Sequence, residues 1–189
     1  KRQDNILRGG YPVMFAQNKP FYLYSRKHGD PERDYNKFQI SPTYLSQGNG
    51  NYRDLNQNRR NEVWFNPKIK EKDLLSLFNL IQLDGFNPLV TKGTRFILQD
   101  AQKIRTKLAQ FTKKENVDKI LLAFTGKRFS PGEIIHFIED NQIKLTSSYD
   151  ELLDIIVSCS LEINEAEHLE GFWIDHWHYN LDLLDSYLA

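Results

Sequence analysis

The sequence predicts a mainly α-helical fold. It should have an irregular, aromatic-rich N-terminal segment with short strands, then a small four-helix bundle and a C-terminal helix. Three observations predict this fold. Turn-forming residues interrupt residues 1–66, apolar residues recur at helical spacing through residues 71–83 and 96–160, and an apolar helical pattern ends the chain. The sequence therefore divides into residues 1–95, 96–165 and 166–189.

The composition excludes several classes of function. The 25 Lys and Arg residues balance 25 Asp and Glu residues among 189, which argues against a nucleic-acid or membrane partner. Cys159 is the single cysteine, so the chain has no disulfide framework of its own. With no signal peptide and no long apolar run, we expect a cytoplasmic protein. The 13% of aromatic residues fits a carbohydrate site or a surface covered by a larger protein.

The sequence predicts little regular structure for the N-terminal segment. Residues 21–24 and 62–65 are apolar and aromatic enough to form short strands. The charged residues 25–35 between them are interpreted either as a solvated loop, which we favour, or as a substrate-binding rim. The rim ligands would be Arg26, His28 and Asp30.

Helical signals begin at residue 71. Residues 71–83 carry an apolar stripe and acidic residues in the first turn, which the helix dipole favours. A first bundle helix is expected from Ile97 to Phe111, and capping boxes at Thr112, Ser130 and Ser148 should begin three more. His136 lies among apolar neighbours and is interpreted as a packing residue.

The polar stretch 44–60 is the candidate for chemistry. It has one carboxylate, Asp54, among amides and arginines, and Gly48 and Gly50 allow close approach of the backbone. Such residues suit a ligand rich in hydroxyl groups. Asp54 would act as a general acid if burial raised its pKa and if Arg53 pointed elsewhere or bound an anion. A polar surface loop is the alternative.

A second unusual stretch lies at residues 170–180, where two Trp, two His, a Tyr and an Asp occur close together. Asp175 is interpreted either as the cap of a helix over residues 177–188 or as a ligand-binding residue. A metal site is not expected there, because His176 and His178 are two residues apart and would point in different directions on a helix.

Residues 52–57, Tyr-Arg-Asp-Leu-Asn-Gln, resemble the acid-bearing motif of the inverting glycoside phosphorylases typified by cellobiose phosphorylase, whose catalytic domain is an (α/α)6 barrel. The resemblance implies that Asp54 is the general acid. The family has a second acidic residue where this chain has Asn58. Residues 171–187 resemble the family's sugar-lining stretch. The substrate-binding residues implied by both motifs are Tyr52, Arg53, Asn56, Gln57, Asp175 and Trp177.

The resemblance also implies an organisation. Residues 1–95 would be part of a catalytic barrel, residues 96–165 an inserted helical domain, and residues 166–189 a barrel helix. We expect an internal fragment that is inert alone and whose partners are a disaccharide or oligosaccharide and the rest of its polypeptide. Inorganic phosphate would be the co-substrate, with no other cofactor and no metal. An inverting hydrolase and a non-catalytic structural or carbohydrate-binding module are the alternatives.

Overall fold

The fold combines helices with small antiparallel sheets. In the computed structural model, the described residues are 10–23, 43–168 and 174–189. About half of the chain is helical and the strands form small antiparallel sheets, so the fold is mixed α and β rather than purely helical, while the (α/α)6 barrel stays a prediction. Throughout the described residues, every helix is too short or too polar to cross a bilayer.

The elements are numbered in chain order over the described residues. The strands are β1 (Tyr11–Phe15), β2 (Lys19–Leu23), β3 (Gly50–Asn51), β4 (Val90–Thr91), β5 (Arg95–Leu98), β6 (Arg128–Phe129), β7 (Ser160–Ile163) and β8 (Ala166–Glu167). The helices are α1 (Tyr52–Arg59), α2 (Glu62–Phe65), α3 (Lys72–Phe78), α4 (Ala101–Leu108), α5 (Lys114–Phe124), α6 (Pro131–Asp140), α7 (Tyr149–Ser158) and α8 (Asp175–Leu188).

One part of the fold is a helical unit built on a sheet. Strands β6, β5 and β7 form an antiparallel sheet in that order, and α4 to α7 pack around a core rich in Ile, Leu and Phe. The expected first helix was wrong at its start, because Ile97 lies in β5 and pairs with Arg128 and Leu161 on the two neighbouring strands. A non-local pairing of this kind overrides the local helical spacing.

The N-termini of the helices in this unit can be compared with the predicted capping boxes. Ser130 and Ser148 each form a complete capping box, as predicted. The box at Thr112 was wrong: α5 begins at Lys114 without a side-chain cap. The Thr112 hydroxyl instead donates to the Lys144 carbonyl at 2.8 Å, which connects the start of α5 to the end of the α6 region.

The hairpin of β1 and β2 joins the same core. Phe15 and Phe21 are buried in the cluster that contains the helical unit. The Lys19 ammonium donates to the carbonyls of Val157 at 3.1 Å and Ser160 at 2.9 Å. These contacts tie the hairpin to residues about 140 positions later, while the three-part division of the chain stays a prediction.

The remaining elements surround the polar stretch. Strands β3, β4 and β8 form a second antiparallel sheet, and α1 follows β3 directly. Residues 62–65 form α2, so the strand expected there was wrong. The helix expected over residues 71–83 ends at Phe78, and Leu83 beyond it is fully exposed.

Candidate functional site

Helices α1 and α8 lie side by side and run in the same direction. Their contacts advance together from the N-terminal to the C-terminal end of both helices, which is the signature of a parallel pair. The pairs are Tyr52 with His176, Asn56 with Asn180, Arg60 with Asp182, and Trp64, just beyond α1, with Ser186. The two stretches singled out in the sequence are therefore neighbours in space.

A buried polar network fixes this pair. Asn180 Oδ1 accepts hydrogen bonds from the Tyr52 hydroxyl at 2.8 Å and from Asn56 Nδ2. Asn180 Nδ2 donates to Asn87 Oδ1 at 2.8 Å. Burial raises the pKa of Tyr52, so its phenol stays a neutral donor. Because Tyr52 and Asn56 are fully buried, they cannot contact a sugar in this arrangement, and we assign them to holding α1 against α8.

Asp54 lies in the first turn of α1 and is mostly buried. Asn51 Nδ2 is 3.3 Å from Asp54 Oδ2, and Arg53 Nε is 3.4 Å from Asp54 Oδ1. The first of the two conditions set for Arg53, that it point elsewhere, is not met, because its guanidinium contacts the carboxylate, whereas anion binding by Arg53 stays a prediction. Each oxygen of Asp54 therefore has a protein donor, and a ligand must compete with these donors.

His176 brings a titratable ring to the same place. Its ring centre is 5.5 Å from that of Tyr52, and its side chain is buried. Burial lowers the pKa of His176 and the Arg53 charge adds to that shift, while the charges of Asp175 and Asp54 oppose it. This buried imidazole beside the Tyr52 ring is a polar group for which the sequence suggested only the role of a metal ligand.

The other predicted residues lie around this centre. Gln57 is partly exposed on α1, and Asn58 Nδ2 donates to the Asp54 carbonyl at 2.6 Å. Asp175 is the first residue of α8 and not its N-cap, and the described residues provide no side-chain cap for that helix, so the first of its two interpretations was wrong. Trp177 lies against the turn at Gly85. Arg26, His28 and Asp30 lie outside the described residues.

Sequence reasoning missed Asn180, although a signal was present. His176, Asn180 and Leu183 recur at helical spacing and are all buried. A polar residue on the helix face that packs into the protein predicts a hydrogen-bond network there.

A second buried cluster joins β2, α1 and α3. The Tyr22 hydroxyl donates to Asp73 Oδ2 at 2.5 Å, and the Arg59 guanidinium lies 3.8 Å above the Tyr22 ring. Asp73 is 4% exposed, and Glu62 is buried as well. Burial raises the pKa of Asp73 to about 6, with the Arg59 charge acting against that shift. The sequence interpretation had treated Asp73 only as a favourable charge at a helix start.

Comparison of the chain with protein-family models, with characterised proteins and with solved structures finds no match. Within residues 10–23, 43–168 and 174–189, no group of three or more His, Cys, Asp and Glu side chains is arranged to hold a metal ion.

Proposed function

We propose that this chain is the acid-bearing part of an inverting glycoside phosphorylase similar to cellobiose phosphorylase, with Asp54 as the general acid. One observation carries the proposal. The parallel pair α1 and α8 brings the Tyr52 ring of the first motif to 5.5 Å from the His176 ring of the second, and the Tyr52 hydroxyl donates to Asn180 of the second motif at 2.8 Å. Two stretches that resemble parts of one family's site in sequence are thus adjacent in space.

The direction of the helices supports a barrel of helices as the parent fold. In a barrel built from helical hairpins, alternate helices run in the same direction. Helices α1 and α8 are parallel and are separated by the whole helical unit. This arrangement suits two helices of one barrel layer with residues 96–165 inserted between them.

The reaction requires a single protein acid. Asp54 donates a proton to the glycosidic oxygen, and a phosphate oxygen attacks the anomeric carbon from the opposite face. The bond from that carbon to the leaving oxygen breaks, and its electrons stay on the oxygen that receives the proton. The products are a sugar 1-phosphate of inverted configuration and a free sugar.

Arg53 has a defined place in this scheme. Phosphate needs cationic or N–H donors, and an arginine fork can present two of them. The Arg53 side chain is 25% exposed beside Asp54, so it is within reach of an incoming anion. Contact with phosphate would draw the guanidinium away from Asp54 and free one carboxylate oxygen for the leaving group. Further phosphate donors would come from the rest of the polypeptide.

The test compares Asp54→Asn with the unchanged protein in the polypeptide that contains this chain. Sugar 1-phosphate is measured with a panel of disaccharides and inorganic phosphate. Loss of general acid catalysis should lower turnover by about 100-fold or more. Asp84→Asn is the matched control, because Asp84 lies on an exposed turn and should leave turnover unchanged. Unchanged turnover in Asp54→Asn would remove Asp54 from the mechanism.

The same measurements separate the alternatives. Release of free sugar at the same rate without phosphate would identify an inverting hydrolase. Sugar binding without turnover would identify a non-catalytic module, which the contacts of Arg53 and Asn51 with Asp54 favour as the second candidate. Under this proposal the 189-residue chain alone should show no turnover of a disaccharide with phosphate.

A further inference from the structure

An open pocket lies at the other end of the α1 and α8 pair from Asp54. Its volume is about 390 Å³, which is within the usual range for small-molecule sites. It is separate from the Asp54 site, because Arg60 follows the last turn of α1 whereas Asp54 is in the first. The pocket is lined by Arg60, Asn61, Trp64, Asp182, Asp185, Ser186 and Ala189.

Trp64 is anchored by a hydrogen bond, and about half of its side chain is exposed. Its indole N–H donates to the Ser186 carbonyl at 2.8 Å, and the side chain is 56% exposed. The indole therefore has its hydrogen bond satisfied while a flat apolar surface faces solvent. One face of a pyranose ring presents C–H groups and can cover such a surface.

The pocket also offers polar groups beside that ring. Arg60 and Asp182 form an ion pair, which holds these two lining side chains together. The side chains of Asn61 and Asp185 make no hydrogen bond or ion pair within the described ranges, so an amide and a carboxylate are available to a ligand. Planar amide and carboxylate groups are well suited to pairs of sugar hydroxyls.

We propose that this pocket is a saccharide-binding site, with a pyranose ring stacked on Trp64 and its hydroxyls bound by Asn61 and Asp185. The polar lining decides between a sugar and an apolar protein partner, because an apolar cover would bury the charges of Arg60, Asp182 and Asp185. The site goes beyond the proposed catalytic function and does not require Asp54 to be an acid.

The test follows the indole N–H signals of the 189-residue chain by NMR during titration. The probes are cellohexaose, maltohexaose and laminarihexaose, and the Trp64 signal is assigned with Trp64→Phe. At least one probe should shift the Trp64 signal in a saturable way. Absence of such a shift with all three probes would overturn the proposal.

Variants locate the binding. Trp64→Ala should weaken binding by about tenfold or more, because truncating an aromatic anchor removes most of its contact. Asn61→Ala and Asp185→Ala change surface residues and should also weaken binding, which keeps the test valid if Trp64→Ala fails to fold. Phe65→Ala is the matched control, since Phe65 is 53% exposed next to Trp64 but does not line the pocket.

The outcomes are independent of the catalytic proposal. Asp54→Asn should bind the probe as tightly as the unchanged chain, even where it abolishes turnover. Equal affinity in Trp64→Ala, Asn61→Ala and Asp185→Ala would show that sugar binds elsewhere and would overturn the assignment.

Discussion

Tyr52 donates a hydrogen bond to Asn180 Oδ1 over 2.8 Å, and this bond joins two helices that are 128 residues apart in sequence. Asn56 donates to the same oxygen, and Asn87 accepts from the amide nitrogen of Asn180. The fully buried Asn180 side chain therefore forms hydrogen bonds with three other side chains. The position of Asp54 at the start of α1 depends on this network.

Asn180→Ala should lower the free energy of unfolding by about 2–4 kcal/mol, since it leaves several buried polar groups without partners. Denaturant unfolding of the chain checks this value. Asn79→Ala serves as the control, because Asn79 is an exposed residue after α3, and its change should stay within about 0.5 kcal/mol. A similar, small effect in both variants would contradict the role assigned to Asn180.

Asp73 should make stability fall as pH rises. Its folded pKa of about 6 exceeds the ordinary 3.8, so the folded chain binds this proton more tightly than the unfolded chain. The resulting stability is complete below pH 3.8 and is lost as pH rises through about 6. Asp73→Asn has no ionisable group at this position and lacks this pH dependence. Between pH 4 and 7, the free energy of unfolding of the unchanged chain should therefore fall by up to about 3 kcal/mol relative to that of Asp73→Asn.

Tyr22→Phe provides the matched test of that carboxyl. The charges facing Asp73 are those of Arg59, Glu62 and Glu162, and the Tyr22 hydroxyl donates to it. Removing the hydroxyl takes away a bond that favours the ionised form, so the folded pKa should rise and the loss of stability should extend to higher pH. Identical pH profiles for Asp73→Asn and the unchanged chain would exclude Asp73 as the titrating group.

Gly132→Ala should be strongly destabilising, whereas a matched glycine should not. A Cβ at Gly132 would lie 1.9 Å from the Tyr44 carbonyl oxygen, so the backbone around residue 44 must move. We expect a cost of about 3 kcal/mol in thermal unfolding. Gly126 has a φ of +74° and open space around it, so Gly126→Ala should cost only about 1–2 kcal/mol of backbone strain. Equal costs would contradict the contact.

The sequence predicted those parts of the fold that local chemistry determines. The capping boxes at Ser130 and Ser148 each lie within four residues, so the signal and the structure are in the same place. Ile97 shows the limit. Its neighbours along the chain favour a helix, but its partners at Arg128 and Leu161 make it part of a sheet. Nothing local to residue 97 indicates those partners.

The candidate site also combines residues that the sequence predicted with contacts that it did not predict. Asp54 and Arg53 were selected by residue type and spacing, and both lie where α1 begins. The sequence did not predict that Arg53 turns back onto Asp54, nor that Asn180 would hold Tyr52 and Asn56 inside the protein. Both outcomes depend on which helix lies opposite α1, and the motif carries no information about that helix.

The hairpin of β1 and β2 imposes an order on biosynthesis. Among the described residues, Phe15 and Phe21 are buried in a core that includes α7, and the Lys19 ammonium donates to the carbonyls of Val157 and Ser160. Ribosomes add about 5–20 residues per second, so on the order of ten seconds pass between synthesis of the hairpin and synthesis of α7. During this interval its two phenylalanine rings are exposed to chaperones and to neighbouring nascent chains.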